Sequence, residues 1–207
     1  MRTSAIVSIA LAALLLSCGE QKTTPEGAQK PAKSQHSEGY RQSVNAALAA
    51  YDSLSESFVN WDSLAVIRHA GGLSQRIDSL QVDPAKDGIG GFAKDRVQVL
   101  LKDLQGSLDI TAKRQRFNDL SLELFDFLKS SKYDGANLYL QECTMPYNDT
   151  GSGVWISRSE ERRNPYLGLK HPYYKSGMLS CGSVKDELEA EGAGKEKEEN
   201  KEGHTNH

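Results

Sequence analysis

Tyr40–Phe58, YRQSVNAALAAYDSLSESF, sets the reading of the whole chain. Tyr40, Val44, Leu48, Tyr51, Leu54 and Phe58 recur at intervals of three and four residues. That spacing lines six apolar side chains along one face of an α-helix and leaves the serines, Asp52 and Glu56 to the other faces. The same period returns three times. From about Asp62, the residues Leu64, Ile67, Ala70, Leu73, Ile77 and Leu80 mark a second helix, with Gly71-Gly72 as a bend or a point of close contact. Pro84 and the run DGIGG (87–91) then break the chain, and those glycines match no phosphate-binding pattern. A third helix around Phe92 to Ser107 carries Val97, Leu100, Leu101 and Leu104. A fourth, about Asp109 to Ser130, carries Ile110, Phe117, Leu120, Leu124, Phe127 and Leu128. Four amphipathic helices with short connections predict a mainly α fold, an antiparallel four-helix bundle whose core is these stripes. His69 falls one residue from the second stripe and reads as structural or exposed.

Working outward from the helices, the N-terminus speaks to compartment. Ala5–Leu16 is an apolar run preceded by a single charge, Arg2, which is a secretory signal and too short to span a bilayer. It ends in Leu15-Leu16-Ser17-Cys18, which resembles a bacterial lipobox. The resemblance implies cleavage before Cys18 and lipidation of that cysteine, hence a lipoprotein of the cell envelope, periplasm-facing and membrane-attached through acyl chains. Residues 1–17 are then the signal peptide and 18–38 a flexible tether with two prolines and no apolar period, in which His36 reads as solvated. The helical domain follows at 39–184. Residues 185–207 read as a disordered, charged tail, where His204 and His207 are solvated. The formal charge of −3 with no basic stripe gives no footprint for nucleic acid.

After Gly135 the period changes. NLYLQEC (137–143) alternates as one short strand does, and from Thr144 to Gly182 the chain is irregular. So long a loop is functional or stapled. Its sulfurs come in two groups, Cys143 with Met145 and Met178 with Cys181. Thiolate and thioether together favour Cu(I) or Ag(I) over harder ions. Cys-x-Met on an extended piece aims two sulfurs the same way, and Met-x-x-Cys does so on one helical turn. A Cys2Met2 set results, with His171 as a fifth contact. The alternative is a Cys143–Cys181 disulfide, which an oxidising compartment favours. It would close a 38-residue loop, stabilise the domain by roughly 4 kcal/mol, and remove the thiolates a metal needs.

From Asp109 onward the chain resembles an uncharacterised family of bacterial periplasmic proteins. The resemblance runs roughly from Tyr40 to Val184 and is most specific over Tyr139–Gly182. It rests on Cys143 and Met145, Trp155 and Ser157, Asn164-Pro165-Tyr166, and Met178-Leu179 with Cys181-Gly182. Two departures stand out: Thr144 replaces the family's proline, and LKHPYYKS (169–176) reads as an insertion. The family's domain occurs alone in lipoproteins and appended to heavy-metal efflux adaptors of the copper and silver type. The resemblance therefore implies binding of a soft metal, for sequestration or delivery to an efflux adaptor. The alternative is a structural or interaction lipoprotein whose disulfide staples a docking loop. Catalysis is not expected: no nucleophile elbow or His-Glu-x-x-His motif is present, and Ser157 has no sequence-visible base.

Overall fold

The computed structural model describes residues 34–82, 94–145 and 151–190. Cys18, the leader, the glycine run at 87–91 and the tail beyond Ala190 lie outside the described residues. The fold is mostly helical, with helices α1 (Glu38–Val59), α2 (Ser63–Asp78), α3 (Lys94–Gln105) and α4 (Ile110–Ser130). Strands β1 (Leu138–Cys143), β2 (Gly153–Ser157) and β3 (Ser183–Leu188) form one small antiparallel sheet in the order β2-β1-β3.

Each helix start that carries a cap uses a short polar side chain. Ser37 accepts from Tyr40 N–H, Asp62 from Ala65 N–H, and Asp109 from the N–H groups of Thr111 and Ala112. Helices α1 and α4 end alike. Asp62 N–H bonds Ser57 O and Trp61 N–H bonds Phe58 O after α1; Tyr133 N–H bonds Leu128 O and Lys132 N–H bonds Lys129 O after α4. These are Schellman turns, and their left-handed residue is not glycine but Trp61 (φ 57°) in one and Lys132 (φ 54°) in the other. A tryptophan there costs about 1 kcal/mol of backbone strain, so its ring must be held by something specific.

All six residues of the α1 stripe are buried, as the periodicity expects, and so are the four named on α3. Helix α2 corrects the expectation: Leu64 is 70% exposed, and the buried face is Ala65, Val66, Ala70, Leu73 and Ile77. It runs unbroken through Gly71-Gly72, and the Gln105 side chain approaches Gly71. His36 is a second correction. It is buried at 7% exposure, its Nε2 lies 3.0 Å from Lys132 O, and its ring stacks on Tyr40 at 4.3 Å. With Ser34 donating to Asp134, this entry segment is part of the folded domain.

The expectation of one short strand is corrected to three. β2 (GVWIS) escapes a period-two reading because four of its five residues are buried on both faces. β3 (SVKDEL) includes residues 185–188, expected to begin the disordered tail, yet it pairs with β1 and ties Asp186 to Lys129. Polar side chains of the helices close the outer side of β2: Asn118 Oδ1 accepts from Val154 N–H at 2.9 Å and Tyr51 OH from Ile156 N–H at 3.0 Å. Tyr51 OH also meets Ser121 Oγ at 2.7 Å, and burial pushes its phenol pKa far up. Tyr51→Phe keeps the ring and strands the buried Ile156 N–H. Urea denaturation should show a loss of about 1–3 kcal/mol with an unchanged m value.

Candidate thiol site

Cys143 ends β1, opposite Gly153 of β2, and is fully buried. Gly153 carries no side chain because the Tyr166 ring occupies that place, 2.7 Å from where a Cβ would stand. The Tyr166 hydroxyl donates to Val154 O, fixing ring and strand together. Cys181 arrives from the other side of the loop and is partly exposed. The two Sγ atoms lie 3.5 Å apart as unbonded thiols, well beyond the roughly 2.05 Å of a disulfide.

Cys181 is placed by backbone hydrogen bonds that converge on Asn164. Asn164 N–H donates to Leu179 O and its Nδ2 to Cys181 O, both at 2.9 Å. Its Oδ1 accepts from the N–H groups of Tyr166 and Leu167. Both capacities of one buried amide are thus used in holding the loop. Cys181 N–H returns to Met178 O at 3.1 Å, so the Met-x-x-Cys segment forms a single turn. Gly182 follows at φ 136°, and a Cβ there would stand 2.8 Å from Glu142 O and 2.9 Å from Trp155 Cη2. Only glycine fits.

Beneath the loop lies Arg114 of α4, 4% exposed. Its Nε donates to Pro165 O and its Nη2 to Phe58 O, while the guanidinium sits 4.0 Å from the Trp61 ring centre and 5.7 Å from that of Phe58. Trp61 Nε1 donates to Leu167 O at 3.0 Å. These contacts hold the strained Trp61 in place. Neither Arg114 nor Trp61 stood out in the sequence; a cationic residue within an otherwise apolar helix face was the available signal.

Of the sequence-derived ligands, the structure brings Cys143 and Cys181 into contact. Met178 is half-buried against the core beside Cys181, and Met145 is 39% exposed two residues beyond Cys143. His171 serves a turn of its own: its Nδ1 accepts from the N–H groups of Tyr173 and Tyr174, at 3.2 and 3.3 Å, and its ring meets Trp61 edge-on. Burial first, then the charges of Arg114 and Lys175, lower its pKa. Among the described residues no group of three or more His, Cys, Asp or Glu side chains is arranged to hold a metal ion. Trp155 and Tyr166 are buried and anchor the loop, whereas Tyr173 and Tyr174 face solvent.

Away from the thiols, an open cleft of about 590 Å³ between α1 and α2 holds His69 with its Nδ1 2.7 Å from Ser57 Oγ. The acids there are engaged: Asp52 with Arg158, Glu56 with Arg163, and Asp62 as the α2 cap. Ser157 Oγ donates to Ser159 O and accepts from Ser159 N–H. No family model matches the chain, and no curated protein or solved structure shows significant similarity to it.

Burial, and then the hydrogen bond and charge of Cys143, push the Cys181 thiol up to about 11. At pH 8 it carries on the order of 100-fold less thiolate than an ordinary cysteine. Alkylation of the reduced protein should be correspondingly slow and inflect near pH 11. In Cys143→Ser the inflection should move down yet stay above the usual thiol value, because burial remains.

Proposed function

We propose that this chain is a lipid-anchored lipoprotein of the cell envelope, held at Cys18, whose four helices form an antiparallel bundle carrying a soft-cation site. The site takes Cu(I) or Ag(I) and sequesters it or passes it to an efflux adaptor; the chain binds and does not catalyse. The bundle reading is supported by the order of cross-contacts. Along α1, Tyr40, Tyr51 and Phe58 meet Ser131, Ser121 and Phe117 of the α4 region, so one helix ascends as the other descends. The pairs Ser57–His69, Ser74–Gln98 and Arg96–Glu123 join the remaining neighbours.

One observation carries the metal reading: two free thiols in contact, Cys143 at the end of β1 and Cys181 on the turn from Met178, each with a methionine two or three residues away. Two sulfurs 3.5 Å apart suit a single ion, since bonds of about 2.3 Å each allow separations of up to about 4.6 Å. Cys143 and Cys181 would supply thiolates and Met178 and Met145 thioethers. The raised Cys181 pKa does not bar this, because a coordinated cation displaces the thiol proton. Binding therefore releases protons, and affinity rises with pH, by up to about tenfold per pH unit for each proton released.

A second reading is favoured by the same pair. Thiols this close oxidise with little movement, and a Cys143–Cys181 disulfide would staple a docking loop. The test uses the mature chain with Cys18→Ser, reduced and kept anaerobic, titrated with Cu(I) against bicinchoninate. Under the metal reading it takes up one Cu(I), more tightly as pH rises, and Cys143→Ser and Met178→Leu each weaken uptake. If protein taken from its native envelope has no titratable thiol and the reduced form competes no better than free cysteine, the disulfide reading replaces it.

A further inference from the structure

The domain has two distinct poles. At one, the N-terminal segment enters: Ser34 bonds Asp134, and His36 packs on Tyr40 and Lys132, where α1 begins and α4 ends. At the other, α1 ends and α4 begins, and the loop is pinned by Leu169 N–H to Val59 O, Trp61 to Leu167 O, and Arg114 to Pro165 O. The thiol pair is fastened there through Asn164. The 22 residues of α1 separate these poles by about 33 Å.

At that far pole the segment 170–175 forms a closed projecting tip. Lys175 N–H bonds His171 O at 3.0 Å, and the His171 ring, stacked on Tyr174 at 4.9 Å, accepts two N–H groups from the tip backbone. Tyr173 is 86% exposed and Tyr174 48%, with Lys170 and Lys175 exposed beside them. The charge of this stretch of chain is of one sign. From Arg162 to Lys185 the chain has no Asp or Glu, in a protein of net charge −3. Of the five Arg and Lys residues in that run, Arg163 and Lys185 pair with Glu56 and Glu142. Arg162, Lys170 and Lys175 have no ion-pair partner among the described residues.

We infer that this tip is a docking surface for an acidic protein partner, which it receives at the same pole of the domain that holds the thiol site. A rigid pair of exposed tyrosines gives contact area at low entropic cost, and unpaired lysines around it select carboxylates and speed encounter. A membrane surface is the less suited occupant. Anionic lipid surfaces are recognised by clusters of about four to eight cations, and the exposed run offers Arg162, Lys170 and Lys175.

The test needs no metal. A ten-residue glutamate peptide is titrated into the mature chain (Cys18→Ser) at low salt, with backbone amide shifts read by NMR. Vesicles of phosphatidylglycerol are run in parallel, and Cu(I) uptake is measured on the same samples. Saturable shifts centred on residues 170–177, lost at high salt, weakened by about tenfold in Lys170→Glu/Lys175→Glu and reduced in Tyr173→Ala, support the inference. Lys102→Glu/Lys132→Glu should leave them unchanged. Shifts spread evenly over all lysines, or unaffected by the tip variants, overturn it, as does binding to vesicles without binding to peptide. Tip binding without Cu(I) uptake leaves the docking surface standing and removes only the metal reading.

Discussion

The loop that carries the thiols depends on one buried amide. Asn164 is fully buried, and its donors and acceptor go to Leu179 O, Cys181 O and the N–H groups of Tyr166 and Leu167. Leaving such a group unmatched costs about 1–3 kcal/mol per partner, so the loop geometry that satisfies Asn164 is strongly preferred over its neighbours. That geometry decides where Cys181 lies. The sheet, by contrast, decides only Cys143. The thiol pair is therefore a meeting of two separately enforced positions, one from the strand ladder and one from a side chain.

Under the loop, Arg114 does comparable work for the backbone of Phe58 and Pro165. A buried guanidinium would be costly in isolation. Here two carbonyls and two aromatic faces replace its water. The left-handed Trp61 is explained by the same cluster. Its strain of about 1 kcal/mol is offset by an indole N–H bond to Leu167 O and by contact with the cation.

The helices were legible because their buried faces follow a single period: every residue named on the α1 stripe is in the core. Leu64 misled because it begins the second run in phase with Ile67 and yet sits on the first turn after the Asp62 cap, where the helix still faces solvent. β2 and β3 were illegible for opposite reasons. One is buried on both faces and does not alternate; the other is charged and exposed and looks like tail, although Lys185 and Asp186 make ion pairs across the sheet and to α4. The contact between Cys143 and Cys181 was legible as one of two outcomes of spacing and resemblance. Asn164 was legible only through the resemblance, since nothing local distinguishes an asparagine that caps a turn from one that anchors a loop. Arg114 and His36 were missed because charge and apparent tether composition predict exposure, and burial through hydrogen bonds to carbonyls leaves no mark on periodicity.

The metal and disulfide readings make the same structural demand: two sulfurs must be held in contact before anything joins them. A flexible loop would meet it only by losing entropy at the moment of binding or oxidation. In this chain that cost is met on folding, through the amide of Asn164, the glycine at 182 and the ring of Tyr166 behind Gly153. Burial then works against ionisation of Cys181, which stays a neutral thiol until its proton is lost to coordination or to a base. A thiol held neutral reacts slowly with stray electrophiles, so either reading calls for a reactant that couples loss of the proton to bond formation at sulfur. A soft monovalent cation does so by coordination, and a disulfide-exchanging oxidant by bonding first to the more exposed Cys181. Exposure therefore ranks the two sulfurs in the same order for either event, with Cys143 completing from within the core what Cys181 begins at the surface.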